Sequence, residues 1–320
     1  MGDVGLQFTV DPDDTIFGVA AGGGTFNAGT IYAVTRRASF TRLYTFSCGS
    51  DGGHPTGLVR TSSGALFGAT AVGVGHSGTI FEVARNGALR THFVFRQAED
   101  GATPGPLVAG RNGEVYGWTT AGGVFGGGTA FRVSAAGVFS KLHDFGPADG
   151  LVGVPRNAPV YGADGQLYGV SFQGSLCSAF PCRSTLFRMS AAGVITVLQA
   201  SSQNSYDLLI SGMLLAGPDN RVYGTYWNGE TFAVTIEGQI TRYPGYARVQ
   251  TAAADNGLYH LEYTDGYRQT TTGLIDRFTM SGLGPTTVVT YTVESGSSTI
   301  IVATMKLGMP RKRTAKKRIR

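Results

Sequence analysis

Cysteine is scarce in this sequence, with three in 320 residues, and tryptophan scarcer, with two. Charged residues make up only 15% of the chain. No window approaches 18 consecutive apolar residues, which excludes a membrane-spanning helix. The opening "MGDVGLQFTV" has neither a basic stretch nor an apolar run, so no signal peptide is recognisable. Both a mature fragment behind a new Met and a cytosolic protein fit that reading. Missing too are a GxSxG elbow, an HExxH pair, a complete EF-hand loop and an Asn-x-Ser/Thr sequon. "GVGHSG" at 73–78 matches GxGxxG literally, but a strand follows it rather than a helix, so the phosphate cradle has no helix N-terminus.

What is present is glycine, 49 residues, without a G-X-Y period, among many Thr, Val, Phe and Tyr. With 42% apolar residues the chain has material for a substantial core, and the pattern is that of short strands and tight turns. The net charge of +5 belongs to the end of the chain. Seven Lys or Arg lie in "RKRTAKKRIR" (311–320), and the rest holds 19 basic against 21 acidic residues. A nucleic-acid partner is therefore expected, if at all, only through that tail.

The chain repeats itself. An aliphatic residue, an aromatic and Gly recur as "IFG", "LFG", "VYG", "LYG" and "VYG", then as "LYH" ending at His260. The aromatics stand at 17, 67, 116, 168, 223 and 259. A second anchor follows as "GTIY", "GTIF", "GTAF" and "STLF", and "RVSAAGV" (132–138) is nearly duplicated by "RMSAAGV" (188–194). Each copy reads as four strands; in the third these are "GPLVAG", "EVYGWTT", "GTAFRV" and "VFSKLHDF". Turn pairs such as Ser63-Gly64, Asn112-Gly113, Asp164-Gly165, Asp219-Asn220 and Asn256-Gly257 join the first two strands. Helical periodicity is absent, so almost no helix is expected.

Four-stranded units of about 50 residues predict an all-β fold, a β-propeller of six four-stranded blades. A further β-like run at 298–307 leaves seven blades, the last truncated, as the alternative. Residues 1–307 are assigned to one propeller domain and 308–320 to a disordered basic tail. A monomer is expected.

The pattern resembles the GloVer (Gloeo-Verruco) repeat of bacterial surface and secreted proteins. Copy three carries it as "VYGWTTAGG", "GTAFRV", "KLHDF" and "ADG"; copy two as "LFGAT", "GTIFEV", "HFVF" and "EDG" with Pro104. The match is good over residues 5 to about 200 and weak over 201–293. The resemblance implies an extracellular or cell-surface location, with the cytoplasm as the alternative, and carries over no catalytic residue.

In a propeller, loops joining second to third strands open on the same face as the connections between blades. That face collects Asp51, Asp100 and Asp149, each before a Gly, together with His54 and His76. Trp118 and Trp227 are expected at the end of their strands, pointing there too. The set reads as a ligand face able to hold a divalent cation, calcium foremost, or to stack a sugar; no other cofactor is expected. Against it stands the routine use of Asp before Gly in turns, of Trp in packing, and of His143 as a counterpart to Tyr44 and Phe93. Cys177 and Cys182, with four residues between them, are a candidate local disulfide, with two unpaired loop thiols as the alternative. The expected function is non-enzymatic binding, adhesion or surface display toward carbohydrate or a surface protein. The alternative is a propeller enzyme acting on a glycan or small substrate by metal-assisted hydrolysis or elimination.

Overall fold

The computed structural model describes residues 8–279, apart from 74, 76, 152, 156, 174–182, 202–209, 211–213, 218, 244–250, 253–256, 263–264 and 271–274. For 251–279 it describes the backbone alone. The described residues form six antiparallel sheets of four or five strands, each hydrogen-bonded in chain order. The second sheet is typical: Gly53–Arg60, Leu66–Val72, Thr79–Val83 and Leu89–Val94. In the third, the first strand is broken into Ala102–Pro104 and Val108–Ala109, which both pair with Val115–Ala121. Among the described residues, the helical elements are the short Gln97–Asp100 and a 3-10 turn at Pro147–Asp149, besides a 3-10 residue at Gly75.

The turn residues behave as their chemistry requires. Gly64, Gly113, Gly165 and Asn220 all have positive φ in the hairpins joining first and second strands. The turn at Asn256-Gly257 lies at the edge of the described residues.

The two sequence anchors prove to be one contact. In five sheets the anchor glycine pairs across strands with the aromatic of the second anchor: Gly18 with Tyr32, Gly68 with Phe81, Gly117 with Phe131, Gly169 with Phe187, Gly224 with Phe232. The ring lies over the glycine, so a Cβ there would fall 2.3 Å from Phe81 in the second sheet and 2.6 Å from Phe131 in the third. Glycine is needed here for space, not for a left-handed backbone. In the sixth sheet His260 takes the glycine's place, opposite Tyr267.

A third repeated residue joins one sheet to the next. Phe46, Phe95 and Phe145 follow the fourth strands of sheets one, two and three, and all three are buried. Their rings reach the anchor aromatics of the following sheet: Phe46 to Phe81 at 5.3 Å, Phe95 to Phe131 at 5.2 Å, Phe145 to Phe187 at 6.0 Å. The corresponding residue of the fourth sheet is Ser201. There Tyr226 of the following sheet packs on Phe232 instead, at 4.7 Å. The core is accordingly divided into clusters between consecutive sheets, one to two, two to three, three to four and four to five. Consecutive sheets also touch through their first strands. No helix among the described residues is long and apolar enough to cross a membrane.

Candidate functional site: the loop-side face

Each of the three Asp-Gly connections is a junction. The Asp51 carboxylate accepts from Ser47 N at 2.8 Å, Ser47 Oγ at 2.5 Å and Tyr44 Oη at 3.2 Å. Asp100 is buried and accepts from Arg96 N at 3.2 Å and Arg96 Nε at 2.9 Å. Both Asp149 oxygens lie within hydrogen-bond reach of His143 Nε2, at 2.9 and 3.0 Å, and Gly146 N donates to Asp149 at 2.8 Å. Tyr44, Phe93 and His143 occupy one repeat position. Tyr44 and His143 meet their aspartates; Phe93 has no polar atom, and Arg96 holds Asp100 in its stead. The burial and the Asp51 charge push the Tyr44 phenol above its usual value.

The backbone of two junctions is fastened to the next sheet. Thr79 Oγ1 donates to the carbonyl of Asp51 at 3.3 Å, and Thr129 Oγ1 to that of Asp100 at 2.6 Å. These threonines pair in turn with Thr70 at 2.8 Å and Thr119 at 3.1 Å. In these two junctions the glycine after the Asp lies against these hydroxyls: a Cβ on Gly52 would stand 2.1 Å from Thr70 Oγ1, and one on Gly101 2.1 Å from Thr119 Oγ1. The carboxylates thus close their own sheet while the adjoining peptide is bolted to its successor. Among the described residues, no three His, Cys, Asp or Glu side chains gather where they could hold a metal ion.

His54 lies on the same face, exposed, with Nδ1 2.9 Å from the Ala21 carbonyl of the first sheet's loop. Trp118 is placed otherwise than its position at a strand end suggests. It is fully buried between the third and fourth sheets, its ring 5.7 Å from Phe187 and its Nε1 donating to the Asn157 carbonyl. A side chain with no exposed surface presents no ring to a ligand. Trp227 is 48% exposed in the tight turn joining the second and third strands of the fifth sheet. His76, Cys177 and Cys182 lie outside the described residues, as does the tail at 308–320. Cys48 is an exposed free thiol.

Two exposed aromatics at this face escape the sequence reading. Phe26 and Phe125 are each 63% exposed, in the loops between second and third strands of sheets one and three. Val124, beside Phe125, is exposed as well. The signal was there: a large apolar residue inside "GGGTFNAG" and "AGGVFGGG" has no neighbouring alternation to place it in a core.

No curated protein matches the sequence. Among solved structures, a streptogramin B lyase is similar with a TM-score of 0.60 at 15% identity, covering 88% of this chain and 85% of that one. A catalytically inactive variant of virginiamycin B lyase from Staphylococcus aureus, with quinupristin, gives 0.61 at 16%, covering 88% and 87%. The extracellular domain of a one-component system from B. thetaiotaomicron gives 0.57 at 13%, covering 88% of this chain and 36% of that one. At such identities the likeness is one of fold, and it is to propeller-like proteins. The profile of the Gloeobacter/Verrucomicrobia repeat matches residues 5–236, the same stretch whose anchors build the first five sheets, and the chain belongs to that repeat family.

Proposed function

We propose that the six sheets close into a six-bladed ring and that the protein works outside the cell as a non-enzymatic binding module. Its ligand, carbohydrate or a surface protein, meets the loop-side face. The observation that carries this reading is the outward presentation of Phe26, Phe125 and Trp227 from loops of one kind in sheets one, three and five. Exposed aromatic rings on one face are suited to a partner. The acidic residues of the same face are engaged in its junctions. A glycan array tests it. Binding is expected for the unchanged protein and is expected to fall at least tenfold in Trp227→Ala. Array binding indifferent to Trp227→Ala, in a protein of unchanged melting temperature, counts against the loop-side face.

A second reading, a propeller enzyme, is favoured by the His143–Asp149 pair, an imidazole and a carboxylate in contact and both partly exposed. The lyase-like neighbours add only their fold. Consumption of quinupristin by the unchanged protein and its loss in His143→Ala would support it; no consumption counts against it.

A further inference from the structure

The loops carrying Phe26 and Phe125 are duplicates. Residues 20–30, "AAGGGTFNAGT", and 119–129, "TTAGGVFGGGT", have equal length, and Phe26 and Phe125 take the same place. Their backbones agree position by position: φ is +82° at Gly23 and +73° at Gly122, +76° at Gly24 and +74° at Gly123, +53° at Asn27 and +72° at Gly126. The same hydrogen bonds close them: Gly29 N to Gly23 O at 3.1 Å and Gly128 N to Gly122 O at 2.9 Å. Each is then clamped to its sheet's last strand, Phe46 N to Gly29 O and Phe145 N to Gly128 O, both at 3.0 Å. The rings are held by defined turns rather than by loose linkers.

Neither loop contains a charged residue, and Asp144, whose Oδ1 accepts from Val124 N at 3.0 Å, is itself paired with Lys141 at 2.8 Å, so neither loop offers a free counter-charge to an ionic ligand. Residues Ala21–Asn27 of one and Val124–Gly126 of the other are exposed, with Gly23 N, Asn27 N, Val124 N and Gly126 N already engaged in internal hydrogen bonds. Insertion into lipid would strand the remaining peptide groups of these segments, those without an internal bond, away from water. A polyhydroxylated chain does the opposite, hydrogen-bonding the open peptides while its C–H faces lie on the rings.

Resting on the loop-side reading above, we infer that the loops at Phe26 and Phe125 are twin contact points for one extended, uncharged polysaccharide chain. Because they stand on alternate sheets, the chain must span several sugar units. The two contacts then reinforce one another by effective concentration.

Affinity electrophoresis in dextran, laminarin, xyloglucan and galactomannan, beside co-sedimentation with phosphatidylcholine vesicles, tests this. At least one polysaccharide is expected to retard the protein. Phe26→Ala and Phe125→Ala are each expected to weaken that binding about tenfold, or 1.4 kcal/mol, and the double variant to abolish it. Melting temperatures should not change, since both rings are mostly in water. Retardation unchanged in the double variant overturns the assignment; if Trp227→Ala still reduces it, the loop-side face survives as the binding surface. No retardation of the unchanged protein by any of the four, or binding to vesicles instead, overturns the polysaccharide assignment.

Discussion

At the scale of the residue, the clearest requirement is for space. Gly117 lies beneath the Phe131 ring, and a Cβ there would also approach Leu107 Cδ2 to 2.8 Å. Gly117→Ala therefore overpacks a site with nowhere to relax and should cost about 1–3 kcal/mol, read as a lower urea midpoint with an unchanged slope. A second residue-scale prediction concerns alkali. The Tyr168 phenol donates to Asp164 Oδ2 at 2.9 Å, and burial together with that carboxylate pushes it up to about 12 from 10.0. Tyr223, burial aside, is raised in the same way by Asp219, to which it donates at 2.6 Å. Because the folded pKa lies above the unfolded one, the contribution is fully present below pH 10 and is lost as pH rises toward 12. Urea midpoints measured at pH 9 and pH 11.5 should show a steeper decline for the unchanged protein than for Tyr168→Phe. Residue identities made the recurrence of aromatic-Gly and "GTxF" legible, but not that they touch: pairing register is a property of two strands, and neither anchor states it alone. Trp118 departs from its expected place for a related reason. Its place near a strand end suggests the rim, whereas burial is decided by the Phe145 and Phe187 rings of the sheet interface.

At the scale of the element, the repeat's "DG" is a hinge pin between sheets. Gly101 has φ 92° and ψ −179°, a region almost restricted to glycine, and faces the Thr119 and Thr129 hydroxyls. Gly101→Ala combines backbone strain with a clash and should cost about 3 kcal/mol, more than the same change at an exposed turn glycine such as Gly126. Comparative thermal melting of the two variants checks this. The third and fourth strands show another recurrence. A register shift falls at Ile31/Tyr32, Ile80/Phe81, Ala130/Phe131 and Leu186/Phe187, immediately before the anchor aromatic in sheets one to four. The extra residue is on the fourth strand each time, Leu43, His92, Leu142 and Leu198, so the bulge bends that strand while the third keeps its register with the glycine strand. The fifth sheet pairs without one, in step with its shortened "ETFAV" anchor. Strand order and turn positions were legible because alternation and Gly-containing turns are local signals. The bulges were not, since one extra residue in a strand leaves no local mark.

At the scale of the whole molecule, the two faces differ in kind. On the hairpin side, arginines link neighbouring sheets: Arg85 of the second sheet pairs with Asp13 of the first at 3.0 Å and with the buried Asp11, and Arg188 of the fourth donates to the Ile236 carbonyl of the fifth at 2.6 Å. On the loop side, the aspartates hold the junctions and the aromatic tips stand free of the core. Thermal melting of Asp100→Ala beside Phe125→Ala separates the two roles. Loss of the Asp100 carboxylate removes charge-assisted bonds from Arg96 and should cost about 2 kcal/mol, a fall in melting temperature of about 4–8 °C. Phe125→Ala should melt within about 1 °C of the unchanged protein, as surface substitutions do. An Asp100→Ala variant as stable as the unchanged protein, or a Phe125→Ala variant that melts several degrees early, would contradict that separation.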